Sequence, residues 1–298
     1  MHQLLSIADL KRDEIAGLID LANGYMEGSL RARPSSFILA TLFFEPSTRT
    51  RLGFEAAAYR LGGQALSLIE TKQTEAMSSP ESPSDTVRVL QEYADVLCIR
   101  HSEEKFAESI ASACPVPVIN AGNGTDEHPS QALSDLFTIN KIFGRLDNLK
   151  IALVGDLRHS RAAHSLVLGL ANSQGIKLWC VSPEALKLPS RYAERYRSGG
   201  GELEETSVMN VQDADVVYMA GFAPRTPVGT FDDAARAPYR MDATMVSGLK
   251  RECSILCPLP RIDEISPEVD GTPHAKYFLE SKLALYMRMA IVSSLLSR

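Results

Sequence analysis

Short apolar runs alternate along this chain with longer stretches whose apolar positions recur every three or four residues. The first half predicts strands at Ser36–Phe44, Gln64–Leu68, Val96–Arg100 and Val116–Ile119. Helical spacing at Thr50–Leu61, Ser84–Ala94 and Phe106–Ala113 separates them. A second block predicts strands at Lys150–Val154, Gly175–Val181, Val216–Met219 and Ser254–Leu256, with helices near Arg161–Asn172 and Pro189–Ser198. Regular βα alternation in two blocks predicts an α/β protein of two domains, each an open parallel sheet flanked by helices. A helix over Pro129–Phe143 carries the chain from one block to the other, and Lys282–Leu296 is apolar at helical spacing. Thr71–Pro83 and Gly221–Ala243 show no clear period, and loops of that length are usually functional or mobile.

Ligands of open parallel sheets sit at the carboxyl ends of strands, so the residues there come first. The first run breaks at Pro46, and Ser47-Thr48-Arg49-Thr50-Arg51 follows before the helical pattern begins. Two hydroxyls, a guanidinium and a third hydroxyl thus fall at a helix N-terminus, where free N–H groups and the macrodipole favour an anion. The plainer reading is an N-capping Ser or Thr beside a surface arginine. Arg100, Gly155-Asp156 and the stretch from Met219 to Ala223 also fall at strand ends. His128 opens a helix after the Gly122-Asn123-Gly124 turn, with Gln131 one turn on. A neutral imidazole at such a position can donate a hydrogen bond to a carbonyl oxygen.

Several of these segments carry a family resemblance. Ser47-Thr48-Arg49-Thr50-Arg51 resembles the carbamoyl-phosphate signature of the aspartate/ornithine carbamoyltransferases, and His128-Pro129-Ser130-Gln131 resembles their second signature. Gly144 to Leu149, Val154 to Leu157 through Arg161 and His164-Ser165-Leu166, and Pro258-Leu259-Pro260-Arg261-Ile262-Asp263-Glu264-Ile265 look like the aspartate branch, whose catalytic chain is the nearest match. The ornithine-type Asp-x-x-x-Ser-Met-Gly loop and His-Cys-Leu-Pro turn do not occur. The resemblance implies a carbamoyl-phosphate-binding domain over 1–132 with the terminal helix 282–298, and an amino-acid-binding domain over 133–281. It implies that Ser47, Thr48, Arg49 and Thr50 hold the phosphate, that Thr50, Arg100 and His128 polarise the carbonyl, and that Gln131 and the Leu259 carbonyl take hydrogens of the carbamoyl group or amine. Arg49, Thr50, Arg100 and His128 would carry the catalysis, with no metal and no cofactor.

On the acceptor side the chain departs from the family. Arg161 matches the arginine that grips the amino acid's α-carboxylate. The Arg-x-Gln pair that holds the side-chain carboxylate is replaced by Gly221-Phe222-Ala223. The lysine that a neighbouring subunit inserts aligns with Ser79, Glu75 replaces a serine of the same loop, and Cys257 stands where histidine is usual. A hydrogen bond to a charged group contributes roughly 1.5–3 kcal/mol, so losing this clamp would cost about 10²–10⁴-fold in aspartate recognition. Lys72, Arg225, Arg236 and Arg240 are cations that could substitute, Arg225 being nearest in sequence.

Three readings stay open on the residues alone. The chain carbamoylates the α-amino group of aspartate or a related amino acid and releases phosphate; or it uses a different amine; or it is a non-catalytic relative that binds carbamoyl phosphate. The complete phosphate and carbonyl set weighs against the last. By resemblance the chain is a homotrimer with shared active sites and the Ser79 loop acting in trans, serves pyrimidine biosynthesis, and has a regulatory chain or a dihydroorotase as an open question. A formal charge of −6 with no basic block argues against a nucleic-acid partner. No apolar run approaches the ~18 residues of a membrane helix. Met1 to Asp20 mixes charge and apolar residues at helical spacing, unlike a signal or transit peptide. An odd count of five cysteines, two inside apolar strands, suits buried thiols in the cytoplasm.

Overall fold

The computed structural model describes residues 1–30, 36–69, 83–222 and 233–297. The chain divides into two compact units, Met1–Phe137 with Leu283–Arg298, and Thr138–Lys282. In the first unit α1 (Arg12–Glu27) precedes β1 (Ile38–Phe43), α2 (Thr48–Arg60), β2 (Gln64–Ile69), α3 (Pro83–Leu90), β3 (Val96–His101), α4 (Phe106–Ala111) and β4 (Val118–Asn123). Helix α5 (Pro129–Phe143) runs across the boundary. The second unit continues with β5 (Lys150–Gly155), α6 (Arg161–Leu170), β6 (Lys177–Val181), α7 (Ser190–Ser198), β7 (Glu202–Thr206), β8 (Val216–Gly221), α8 (Asp233–Arg236), α9 (Ala243–Ser247) and β9 (Ser254–Leu256). Helix α10 (Tyr277–Leu296) returns the chain to the first unit.

Among the described residues, the first sheet has the order β2-β1-β3-β4 and the second β7-β6-β5-β8-β9, all strands parallel. The expected fold class is therefore found. Strands inside a parallel sheet are covered on both faces and need continuous apolar sequence. Strands β1, β3, β5 and β8 meet that condition, and Leu39, Ala40, Leu97, Leu153 and Val217 are all buried completely. In the first unit Leu42, Leu97, Ile99, Phe106 and Val118 pack together; in the second, Val154, Val217, Met219, Tyr239, Ile255 and Tyr277 do so.

Each strand order reverses direction at one place, where neighbouring crossovers leave in opposite senses and a crevice opens at the strand ends. In the first sheet that place is between β1 and β3, with Phe43 paired to Arg100. In the second it lies between β5 and β8, with Gly155 paired to Gly221. Three elements differ from expectation. Glu202–Thr206 forms β7, which a single apolar residue did not announce. Part of Gly221–Ala243, expected to be irregular, forms α8 and a 3₁₀ turn over Ala237–Tyr239. The terminal helix begins at Tyr277 rather than Lys282.

Candidate active site

In the first unit the anion motif sits where the sequence places it. Ser47 is the N-cap of α2, in extended conformation, and its side chain makes no capping hydrogen bond. The capping reading therefore fails for Ser47, and its hydroxyl is not spent on the helix. Thr48, Arg49 and Thr50 form the first turn, which carries orphan N–H groups and no acidic residue.

The two sequence signatures meet here. Thr50 Oγ1 lies 3.4 Å from His128 Nε2, across 78 residues of sequence, and both side chains are buried. The other ring nitrogen, Nδ1, is 3.3 Å from Ser130 Oγ. Gln131 Nε2 donates to Asp135 Oδ1 at 2.8 Å, which directs the amide oxygen away from that carboxylate. Arg100 donates from Nη1 to the Ala121 carbonyl at 3.3 Å, and its Nε is 3.5 Å from Glu45 Oε2. Glu45 belongs to the turn between β1 and α2, so the pair ties Arg100 to the start of the cradle. Ser47, Thr50, Arg100 and His128 thus come from one sheet switch point, two helix N-termini and one strand end.

A buried charge that the sequence reading did not single out lies in the same unit. Arg288, on α10, is 5% exposed. Its guanidinium lies 5.7 Å over the Phe54 ring, and a Cβ on Gly53 would collide with it. Burial first, and the charge of Arg49 as well, lower its pKa to about 10, against the pull of Cys98 and Asp135. The signal was a lone charge in the apolar run Leu283 to Val292.

In the second unit Arg161 is the first residue of α6, whose N-cap Ser160 accepts a hydrogen bond from Ala163 N. A guanidinium at this end of a helix opposes the macrodipole, and a bound carboxylate would offset that. Asp156, at the end of β5 and fully buried, accepts the N–H groups of Arg158 and His159 and pairs with the His159 ring at 3.0 Å. Gly221 ends β8 with φ 67°, and Leu259 has φ 49°. Arg236 and Arg240 both pair with Asp263, at 3.2 and 2.6 Å, so these two substitute cations are engaged elsewhere. Ala223, Arg225, Lys72, Glu75 and Ser79 lie outside the described residues. Among the described residues no three His, Cys, Asp or Glu side chains gather as a metal ligand set.

Two parallel-sheet units, the first with Ser47, Thr48, Arg49 and Thr50 at the start of a helix, define a two-domain α/β protein. The carbamoyl-phosphate-binding domain model of the aspartate/ornithine carbamoyltransferases matches residues 2–141, and their aspartate/ornithine-binding domain model matches 147–295. The aspartate carbamoyltransferase catalytic subunit of Methanococcus vannielii is 40% identical over 99% of this chain and 98% of its own. The aspartate transcarbamoylase of Trypanosoma cruzi in complex with N-(phosphonacetyl)-L-aspartic acid is 34% identical, with TM-score 0.91 over 99% of this chain and 96% of its own. The same enzyme with carbamoyl phosphate and aspartate is 34% identical, with TM-score 0.88 over 99% and 95%. The chain belongs to the aspartate/ornithine carbamoyltransferase family.

Proposed function

We propose that the first unit holds carbamoyl phosphate through Ser47, Thr48, Arg49, Thr50, Arg100, His128 and Gln131, and that the second holds the amino acid through Arg161. The chain is a carbamoyltransferase, moving the carbamoyl group to the α-amino group of aspartate or a related amino acid with release of phosphate. The amine lone pair attacks the carbamoyl carbon, a C–N bond forms, and the former carbonyl oxygen becomes an oxyanion. Thr50, Arg100 and His128 are donors for that oxyanion, which develops only as the reaction proceeds. Collapse breaks the bond to the phosphate oxygen, and the proton lost by the nitrogen leaves with the departing phosphate. The Leu259 carbonyl serves as acceptor for a carbamoyl or amine hydrogen.

The observation that supports this reading is the 3.4 Å contact of Thr50 and His128, which brings the two sequence signatures side by side. A homotrimer, with the Ser79 loop acting in trans, completes the proposal. Apolar exposure on one edge of the first unit supports it: Leu52 and Tyr59 of α2 and Leu66 and Ile69 of β2 are all more than 40% exposed. A place in the cytoplasm is supported by five free thiols.

The test follows phosphate release from carbamoyl phosphate with aspartate and other amino acids, identifying ureido products by mass. Arg49→Ala should weaken carbamoyl-phosphate binding by about 2–3 kcal/mol in calorimetry. Unchanged affinity would remove the anion cradle from the mechanism.

A further inference from the structure

Building on the carbamoyl-phosphate site proposed above, we infer that Asp135 makes that site choose a carbamoyl group over an acetyl group. It acts as a positioning residue, holding the amide of Gln131 so that the oxygen, and not the NH₂, faces the ligand.

Gln131 and Asp135 stand four residues apart on α5, so their side chains share one face of the helix. Gln131 Nε2 donates to Asp135 Oδ1 at 2.8 Å. Asp135 is fully buried, and Gln131 is buried as well. The Gln131 N–H donates to the His128 carbonyl at 3.0 Å, which seats Gln131 on the turn whose imidazole meets Thr50.

The two ends of an amide have opposite chemistry: the oxygen accepts and the NH₂ donates. A carboxylate only accepts, so the NH₂ is the end that turns to Asp135. Turning the amide over would set two acceptors against each other in the interior, where an unmatched polar group is costly. The buried Arg288 guanidinium attracts Asp135 and gives its carboxylate a counter-charge. The oxygen is then the end that Gln131 offers to a ligand.

Carbamoyl phosphate and acetyl phosphate share the phosphate and the carbonyl and differ in one group, NH₂ against CH₃. The hydroxyls and guanidinium groups of Ser47, Thr48, Arg49, Thr50 and Arg100 are donors for what the two ligands have in common. Only an acceptor distinguishes the NH₂. A site with a buried acceptor disfavours an analogue that leaves the acceptor unpaired. An amide free to turn over would lose that discrimination, because its own NH₂ could face the ligand.

Calorimetry measures Kd for carbamoyl phosphate, acetyl phosphate and inorganic phosphate in the full chain, in Asp135→Asn, in Gln131→Ala and in the double variant. Asparagine keeps the shape of Asp135 but can meet either end of the Gln131 amide. The wild-type chain should favour carbamoyl over acetyl phosphate by about 10-fold or more, and Asp135→Asn should lower that ratio about 5-fold. Affinity for acetyl phosphate and for phosphate should stay within about 2-fold, and in the Gln131→Ala background the substitution should leave the ratio alone. An unchanged ratio in folded Asp135→Asn, or an equal loss for all three ligands, overturns the role given to Asp135 and leaves carbamoyl-phosphate binding standing. A fall in the ratio that persists without the Gln131 amide overturns it too. A wild-type chain that binds none of the three overturns the anion site itself, and this selectivity with it. Should Asp135→Asn not fold, Asp135→Ser, whose hydroxyl also both donates and accepts, is judged by the same ratio.

Discussion

Arg288 brings a charge into the interior of the first unit, and at the residue scale it is that unit's least expected feature. The folded chain bears the cost of desolvating that guanidinium, and Arg49 repels it. Replacing a buried charge by an apolar side chain of similar size is often neutral or stabilising, so Arg288→Met should leave the ligand-free melting temperature unchanged or higher. The same substitution removes positive potential behind Arg49, and should weaken carbamoyl-phosphate binding by about 1–2 kcal/mol. Calorimetry with phosphate and with carbamoyl phosphate checks this, and equal affinities in both forms would make Arg288 a purely structural residue. Sequence alone singles out Ser47 to Thr50 and His128 because their hydroxyls, guanidinium and ring stand at helix starts. Arg288 escapes because its meaning depends on what α10 packs against.

At the scale of elements, the packing of α10 on α2 fixes the position of that charge. Gly53 lies in the second turn of α2, where alanine would ordinarily stabilise a helix by about 1 kcal/mol. Here the Arg288 guanidinium occupies the space a Cβ would need, so the gain is reversed. Gly53→Ala should lose roughly 1–3 kcal/mol of stability, typical of overpacking. Urea unfolding measures it, and a stabilised variant would mean that Arg288 moves aside freely. Central strands such as β1 and β8 are legible as continuous apolar runs because both faces are covered. The edge strand β7 is not, since Glu202, Glu204 and Glu205 leave only Leu203 apolar. Charges on a sheet edge discourage pairing with another chain, and they conceal the strand from any hydrophobic pattern.

For the whole molecule, the two sheets end in contrasting ways. The outer strand of the second sheet is β7, guarded by carboxylates, whereas the outer strand of the first is β2, which exposes Leu66 and Ile69 beside Leu52 and Tyr59 of α2. An apolar edge of that kind favours association, and the proposed homotrimer would cover it on the first unit. The expected exposure of β2 was not legible beforehand, because Gln64–Leu68 reads equally well as an inner strand. Leu66→Glu combined with Ile69→Lys places charges on this edge while leaving the anion cradle untouched. By light scattering the wild-type chain should have the mass of three copies and the double variant that of one. If the Ser79 loop acts on a neighbouring copy, the monomer should lose carbamoyl transfer yet bind carbamoyl phosphate through Arg49, Thr50 and His128 within its own chain. A wild-type chain that is monomeric at micromolar concentration would end the trimer proposal; a variant that stays trimeric would move the interface away from β2. Full activity in a monomeric variant would show instead that each chain carries all the groups its reaction needs.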